Sequence, residues 1–278
     1  MNTQSITNAL THGGNFLADD VFSAALLTLL FPNIQIERGF TVPENFDGIV
    51  FDIGFGKFDH HQQDKEIRDN GIAYAAFGLL WKEYGTCFLS EEEAKKFDEE
   101  FIQPLDISDN TGEPNEIASI ISLFNPGWDE TLDADICFEQ AKNVAIQILE
   151  RKFAYIKGET KAYSIVKDAI AKAQDHILIL DYFVPWKKNV VDTSIYFVIY
   201  PSKRGGYNAQ AVPASHESPE LKYPFLEEWR GVDSEQLPAI SGIETLHFCH
   251  TSGFLIATDT LEDAKRACMM VLKKNEVE

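Results

Sequence analysis

Basic residues are scarce in this chain, paired cysteines are absent, and no long apolar run interrupts it. The 278 residues hold 24 Lys and Arg against 44 Asp and Glu, a formal net charge of -20. Such a surface repels long polyanions unless a local basic patch or a bound cation reverses the field. Long duplex DNA is therefore a poor partner, whereas a short strand, a nucleotide or a small phosphoester stays admissible. Cys87, Cys137, Cys249 and Cys268 are widely spaced, with no CxxC pair. They read as free thiols in a reducing compartment, which excludes a disulfide scaffold. The longest apolar run, near residues 24–31, is too short to span a bilayer. The opening MNTQSITNALTHGG has neither the basic flank nor the apolar core of a signal peptide. No repeat or low-complexity tract is visible. These absences together predict a cytoplasmic protein that uses no membrane.

What is present is a core. Hydrophobic residues make up 45% of the chain, and its length predicts two domains or one large one. Residues 15–31 read as a helix capped by Asn15, with Asp19 and Asp20 in the first turn where the helix dipole favours negative charge. Short strands are expected at 34–38 and 48–54, and a helix at 71–85 closed by Gly85. Helices follow at about 90–104, 115–123 and 134–158. This order predicts an α/β sheet with parallel connections. Beyond residue 160 the pattern shifts to strands at 176–181, 194–201, 207–213 and 245–254. The segment PSKRGGY is expected to be a hairpin turn. A closing helix spans 260–274, with Thr260 and Asp263 as a capping box. The expected domains are 1–158 and 159–278.

Titratable residues gather at the ends of the predicted N-terminal strands: His12, Asp19, Asp52, the run Asp59-His60-His61, and Asp106 with Asp109 in LDISDN. Loops at the carboxyl ends of parallel strands are where α/β sheets place ligands. A mixed Asp/His set without thiolate suits Mn²⁺ or Mg²⁺ better than structural zinc. Such an ion activates water and neutralises phosphoryl charge, which is hydrolytic chemistry. Two adjacent histidines on a strand diverge, so one is expected to ligate and the other to face substrate.

Each residue also has an ordinary reading. Asp19 or Asp20 can serve the helix dipole, and Asp109 can be a turn residue. Asp106 reads better as a helix-end carboxylate than as a ligand. Arg230 can pair with Glu227 or Glu228, and His250 can sit in the core. Lys203-Arg204 reads as a solvated tip, and Trp186, Trp229 and Phe225 as core. EEEAKKFDEE (91–100) reads as a solvated helical face.

Asp59-His60-His61 resembles the signature of the DHH phosphoesterase superfamily. THGGNFLADD, FDIGFGKFDHHQ, AYAAFGLLWKEYG and LDISDN together resemble one branch, the melanocyte-proliferating-gene (MYG) family of metal-dependent hydrolases. The likeness continues in YNAQAVP, PFLEEWRGV and ISGIETLHFCHTSGF, in order along nearly the whole chain. The resemblance implies an α/β fold with a DHH-type, mostly parallel sheet flanked by helices, and a second, smaller α/β domain. It implies metal-assisted hydrolysis of phosphodiester or phosphoanhydride bonds, with 3′–5′ RNA exonuclease activity associated with the family. It implies that His12 binds a first ion, Asp19, His60 and Asp109 a second, and Asp52 both. His61, with Asp59, is assigned to catalysis, and Arg230 and His250 to the substrate phosphate.

Two departures stand out. The family pattern has a second histidine where this chain has Leu17, and leucine cannot ligate. The first ion then keeps only His12 and Asp52. The pattern also favours glycines where Leu255-Ile256-Ala257 follow SGF. The leading expectation is a Mn²⁺-dependent phosphoesterase acting on short RNA, oligonucleotides or a small phosphoester. The rivals are a metal- or nucleotide-binding protein without turnover, and a small-molecule phosphatase or pyrophosphatase.

Overall fold

The computed structural model describes residues 6–276. Residues 1–5, part of the stretch read as lacking a signal peptide, lie outside the described residues. The chain is α/β and divides into two compact units, Met1–Lys157 and Gly158–Glu278.

The first unit begins with β1 (Asn8–His12), α1 (Ala18–Leu30), β2 (Gln35–Gly39) and β3 (Ile49–Val50). The strands form a parallel sheet in the order β2-β1-β3. β1 is central, with Ala9, Leu10 and Thr11 buried, so its carboxyl end delivers His12 to a covered edge. α1 starts three residues later than expected. Leu17, not Asn15, is its N-cap, and the Leu17 N–H donates to Asp20 Oδ1 at 2.8 Å. Every residue of α1 from Ala18 to Leu27 is buried. Phe22 lies 5.5 Å from the rings of both Phe77 and Phe101.

α2 (Ala76–Tyr84) is shorter than its sequence pattern. Its cap, Ala75, offers no side-chain acceptor, and Gly85 is right-handed and opens a 3₁₀ turn. α3 (Glu91–Phe97), a π-turn and α4 (Gln103–Thr111) follow, then α5 (Glu116–Ser122). LDISDN is therefore helix rather than loop. Pro104 sits in the first turn of α4, directly after the π-turn Asp98–Ile102. Asp106 lies in the first turn of α4, buried, with its Oδ2 2.7 Å from Arg68 Nη2, and a Cβ at Gly78 on α2 would collide with it.

α6 (Ala134–Ile170) runs past the expected stop near residue 158. Gly158 costs a helix about 1 kcal/mol, but Ala162 and Val166 beyond it are buried among Leu178, Trp186 and Val198. Packing outweighs the local preference.

The second unit adds β4 (Ile177–Ile179), α7 (Lys187–Val190), β5 (Phe197–Pro201), β6 (Tyr207–Ala211), α8 (Leu237–Ser241), β7 (Leu246–Cys249), β8 (Leu255–Thr258) and α9 (Leu261–Glu276). Its sheet runs β4-β5-β6-β8-β7, with only β4–β5 parallel. Alternation on β5 feeds two cores. Phe197 and Ile199 pack with Trp229 and Cys268, while Val198 and Tyr200 pack with Trp186. Trp186, Trp229 and Phe225 are core residues. The segment after SGF is a strand, β8, with Ile256 fully buried, so side chains are required there. The capping box of α9 is half formed. Asp263 N donates to Thr260 Oγ1, while the Asp263 carboxylate accepts from Thr245 instead.

Candidate metal centre

The carboxyl ends of β1 and β3 bring the first two site residues together. His12 closes β1, and Phe51 continues the ladder by donating from its N–H to the Leu10 carbonyl. Asp52 follows in a left-handed conformation, φ 54°, which a short polar side chain tolerates better than most. Its N–H donates to the Phe58 carbonyl at 2.9 Å. That bond folds the intervening loop back on itself and returns Asp59, His60 and His61 beside Asp52.

Asp52 joins two halves. Its Oδ2 lies 3.3 Å from His12 Nε2, and its Oδ1 lies 3.2 Å from His60 Nε2. His12 Nε2 is also 3.3 Å from Asp20 Oδ2, and His60 Nε2 is 3.2 Å from Asp109 Oδ2. Donor atoms of three overlapping groups fall within 4.8 Å of one another: His12–Asp20–Asp52, Asp19–His60–Asp109 and Asp52–His60–His61. Each group could hold a metal ion.

Second partners fix which nitrogen faces inward. His12 Nδ1 donates to the Gly13 carbonyl. Asn110 gives its amide N–H groups to the carbonyls of Tyr74 and Asp106, so its Oδ1 accepts from His60 Nδ1. Both histidines thus turn Nε2 towards the carboxylates, the tautomer a cation requires. Asp19 has a second task. Its two oxygens accept from the N–H groups of Ala76 and Phe77, at 3.0 and 2.8 Å, and so cap α2.

The electrostatics favour a cation. Burial pushes the Asp19 and Asp109 carboxyls up, and pushes Asp20 to about 7. Burial also works against charge on Asp52, but hydrogen bonds from His12 and His60 outweigh it and hold that carboxyl low. The Asp52 hydrogen bond raises His12 to about 9. Burial opposes charge on His60, and Asp52 overcomes it upward. The carboxylates of Asp20 and Asp52 beside His12 Nε2 thus favour positive charge at this position. Asp20 Oδ2 is buried without a hydrogen bond, an orphaned oxygen that a divalent cation would satisfy. Aspartate oxygens and imidazole nitrogens without thiolate suit Mn²⁺ or Mg²⁺. The donor set fits such an ion.

The structure brings together five of the sequence-predicted residues, His12, Asp19, Asp52, His60 and Asp109, and adds Asp20 to the His12 side. Asp20, to which the resemblance assigns no role, is the third member of the His12 group. In the sequence it is hidden by the helix dipole, which explains two adjacent acids in a first turn equally well. Asp109 projects from α4, not from a turn. Adjacent His60 and His61, which lie in no strand, do not diverge. Their rings lie 4.4 Å apart, and both approach Asp52 Oδ1. Asp59 is spent on positioning: Oδ1 accepts from His61 Nδ1 at 2.7 Å and from the His61 N–H, and Oδ2 accepts from the Phe55 N–H. Burial opposes its charge, and the His61 hydrogen bond with these amides holds the carboxyl low. Asn110 and Lys65, whose Nζ donates to Asn110 Oδ1, carried no sequence signal of their own.

Arg230 and His250 belong to the second unit. Arg230 Nε donates to the Phe225 carbonyl, and Glu228 pairs with Lys274. His250 Nδ1 is 2.9 Å from Ser252 Oγ. Gly253, φ 71°, donates to the His250 carbonyl, and a Cβ there would meet Arg230 Nε at 2.7 Å. Glycine is thus needed where these two segments meet.

Residues 8–272 match the family model MYG1_exonuc, described as an uncharacterised protein family, UPF0160. A MYG1 protein of Dictyostelium discoideum is 31% identical over 316 residues, covering 95% of this chain and 96% of that one. A protein named MYG1 exonuclease from Bos taurus is 29% identical, covering 91% and 81%. A MYG1 protein of Chlamydia trachomatis is 28% identical, covering 96% and 97%.

Proposed function

The chain belongs to the UPF0160 family, and on that premise we propose that it is a DHH-type, Mn²⁺-dependent phosphoesterase that hydrolyses phosphodiester bonds of short RNA or oligonucleotides. The exonuclease name carried by relatives such as the Bos taurus protein supports the reaction class. One observation carries the reading for this chain: Asp52 lies within 3.3 Å of the inward nitrogens of both His12 and His60.

His12, Asp20 and Asp52 would hold one divalent cation, and Asp19, Asp52, His60 and Asp109 another. When bound, such cations supply Lewis acidity, lowering the pKa of water and offsetting phosphoryl charge. The chain's own residues do the rest. Asp59 holds the His61 Nδ1 proton in place. Nε2 of this half-exposed ring is left to exchange a proton or hydrogen bond with the substrate. Mn²⁺-loaded protein should release mononucleotides from short RNA, and His60→Ala should abolish release. Equal behaviour of the two proteins would defeat the reading.

A binding protein without turnover is the reading favoured by Leu17, which is exposed and cannot ligate. Asp20 weakens it by supplying a third donor. Metal bound without hydrolysis would favour that rival.

A further inference from the structure

The centre is polar, yet segments that bear it or touch it hold large apolar side chains in water. Phe40 is 82% exposed and Phe55 72%. Phe55 lies between Asp52 and Asp59, and Phe40 packs against Gly13 and Gly14, immediately after His12. Isolated exposed apolar residues need no explanation. These two carry further marks.

Phe40 sits on a fixed base. A Cβ on Gly13 would lie 3.3 Å from Phe40 Cζ, and one on Gly14 3.5 Å from Cε1. The loop beneath is clamped: Gly13 N–H donates to the Gly39 carbonyl, and Arg38 Nη2 donates to the Gly14 carbonyl, both at 2.7 Å. Arg38 is itself held by Asp135 and by the Phe138 ring. The ring edge is seated while most of its surface stays open. Phe55 is left-handed, φ 57°, a conformation disfavoured for a bulky residue. Its N–H is locked to Asp59 Oδ2, the carboxylate that also positions His61. With so much of its side chain in water, core packing does not account for the strained backbone.

Charge sharpens the point. A chain of net charge -20 gives a polyanionic strand little long-range attraction. Cations at the centre can hold the scissile phosphate, but affinity along the rest of a strand must come from contacts indifferent to charge, and base–aromatic stacking is one, available to every base.

We propose that Phe40 and Phe55 are base-stacking residues that hold nucleobases flanking the scissile phosphate, so that the site selects base-bearing strands over phosphoesters without a base. This rests on the phosphoesterase reading, but its test is made on binding, not turnover. The probes are a short phosphorothioate RNA and an abasic strand of equal length, each titrated against the Mn²⁺-loaded full chain. The wild type should prefer the base-bearing strand. Phe40→Ala and Phe55→Gly should each weaken that strand by roughly 5- to 100-fold while leaving the abasic strand and Mn²⁺ binding unchanged. Phe40→Trp should retain the preference. Glycine accepts φ 57° without strain, so misfolding would not explain a loss in Phe55→Gly. Equal affinity of the wild type for the two strands, or no affinity for either, overturns the proposal. So does a parallel loss for both strands in the variants. Intact preference without any hydrolysis would instead defeat the phosphoesterase reading alone.

Discussion

The two halves of the candidate metal centre share Asp52 but are built differently. The His60 half is enclosed: the His60 and Asp109 side chains are 6% and 10% exposed. Asn110 orients His60, and Asp19 is anchored to the start of α2. The His12 half is more open. His12 is 26% exposed, a backbone carbonyl alone orients its ring, and Asp20 Oδ2 waits without a hydrogen bond. Outer partners that fix a ligand raise metal affinity, so the enclosed half should bind first and more tightly. The comparison also explains how the chain accommodates Leu17. Asp20, three residues after Leu17 in the first turn of α1, lies 3.3 Å from His12 Nε2.

Breaking the shared residue should have the largest effect. Asp52→Asn should cost both halves, exceeding the ~10- to 100-fold typical of losing an outer partner, as read by Mn²⁺ titration. Asn110→Ala should fall within that ~10- to 100-fold range and act on the tighter ion, leaving the weaker one untouched. Loss at the weaker position instead would reverse the assignment of halves. Leu17→His should have the smallest effect, a modest tightening of the weaker position alone. No change there would mean that residue 17 does not reach the ion.

Sequence legibility followed the same division. Asp59-His60-His61, Asp52 and His12 were readable because charged residues near predicted strand ends have few structural duties. Asp20 was masked by Asp19, since a helix dipole accounts for both. Asn110 is neutral and acts through His60, so it leaves no charge signature. The secondary structure failed where packing overrode local preference. Gly158 looked like a helix end, yet Ala162 and Val166 bury beyond it. LDISDN falls just beyond the helix expected at 90–104, yet buried Leu105 and Asp106 make it part of a helix. β8 carries no period-2 signal: Leu255, Ile256 and Ala257 are all apolar, and the buried positions are Ile256 and the polar Thr258.

Counting Mn²⁺ per chain by equilibrium dialysis, for the wild type and for Asp20→Asn, tests the central claim most directly. Two ions in the wild type and one, the tighter, in the variant is the expected result. No bound ion in the wild type, or an unchanged count in Asp20→Asn, would contradict it.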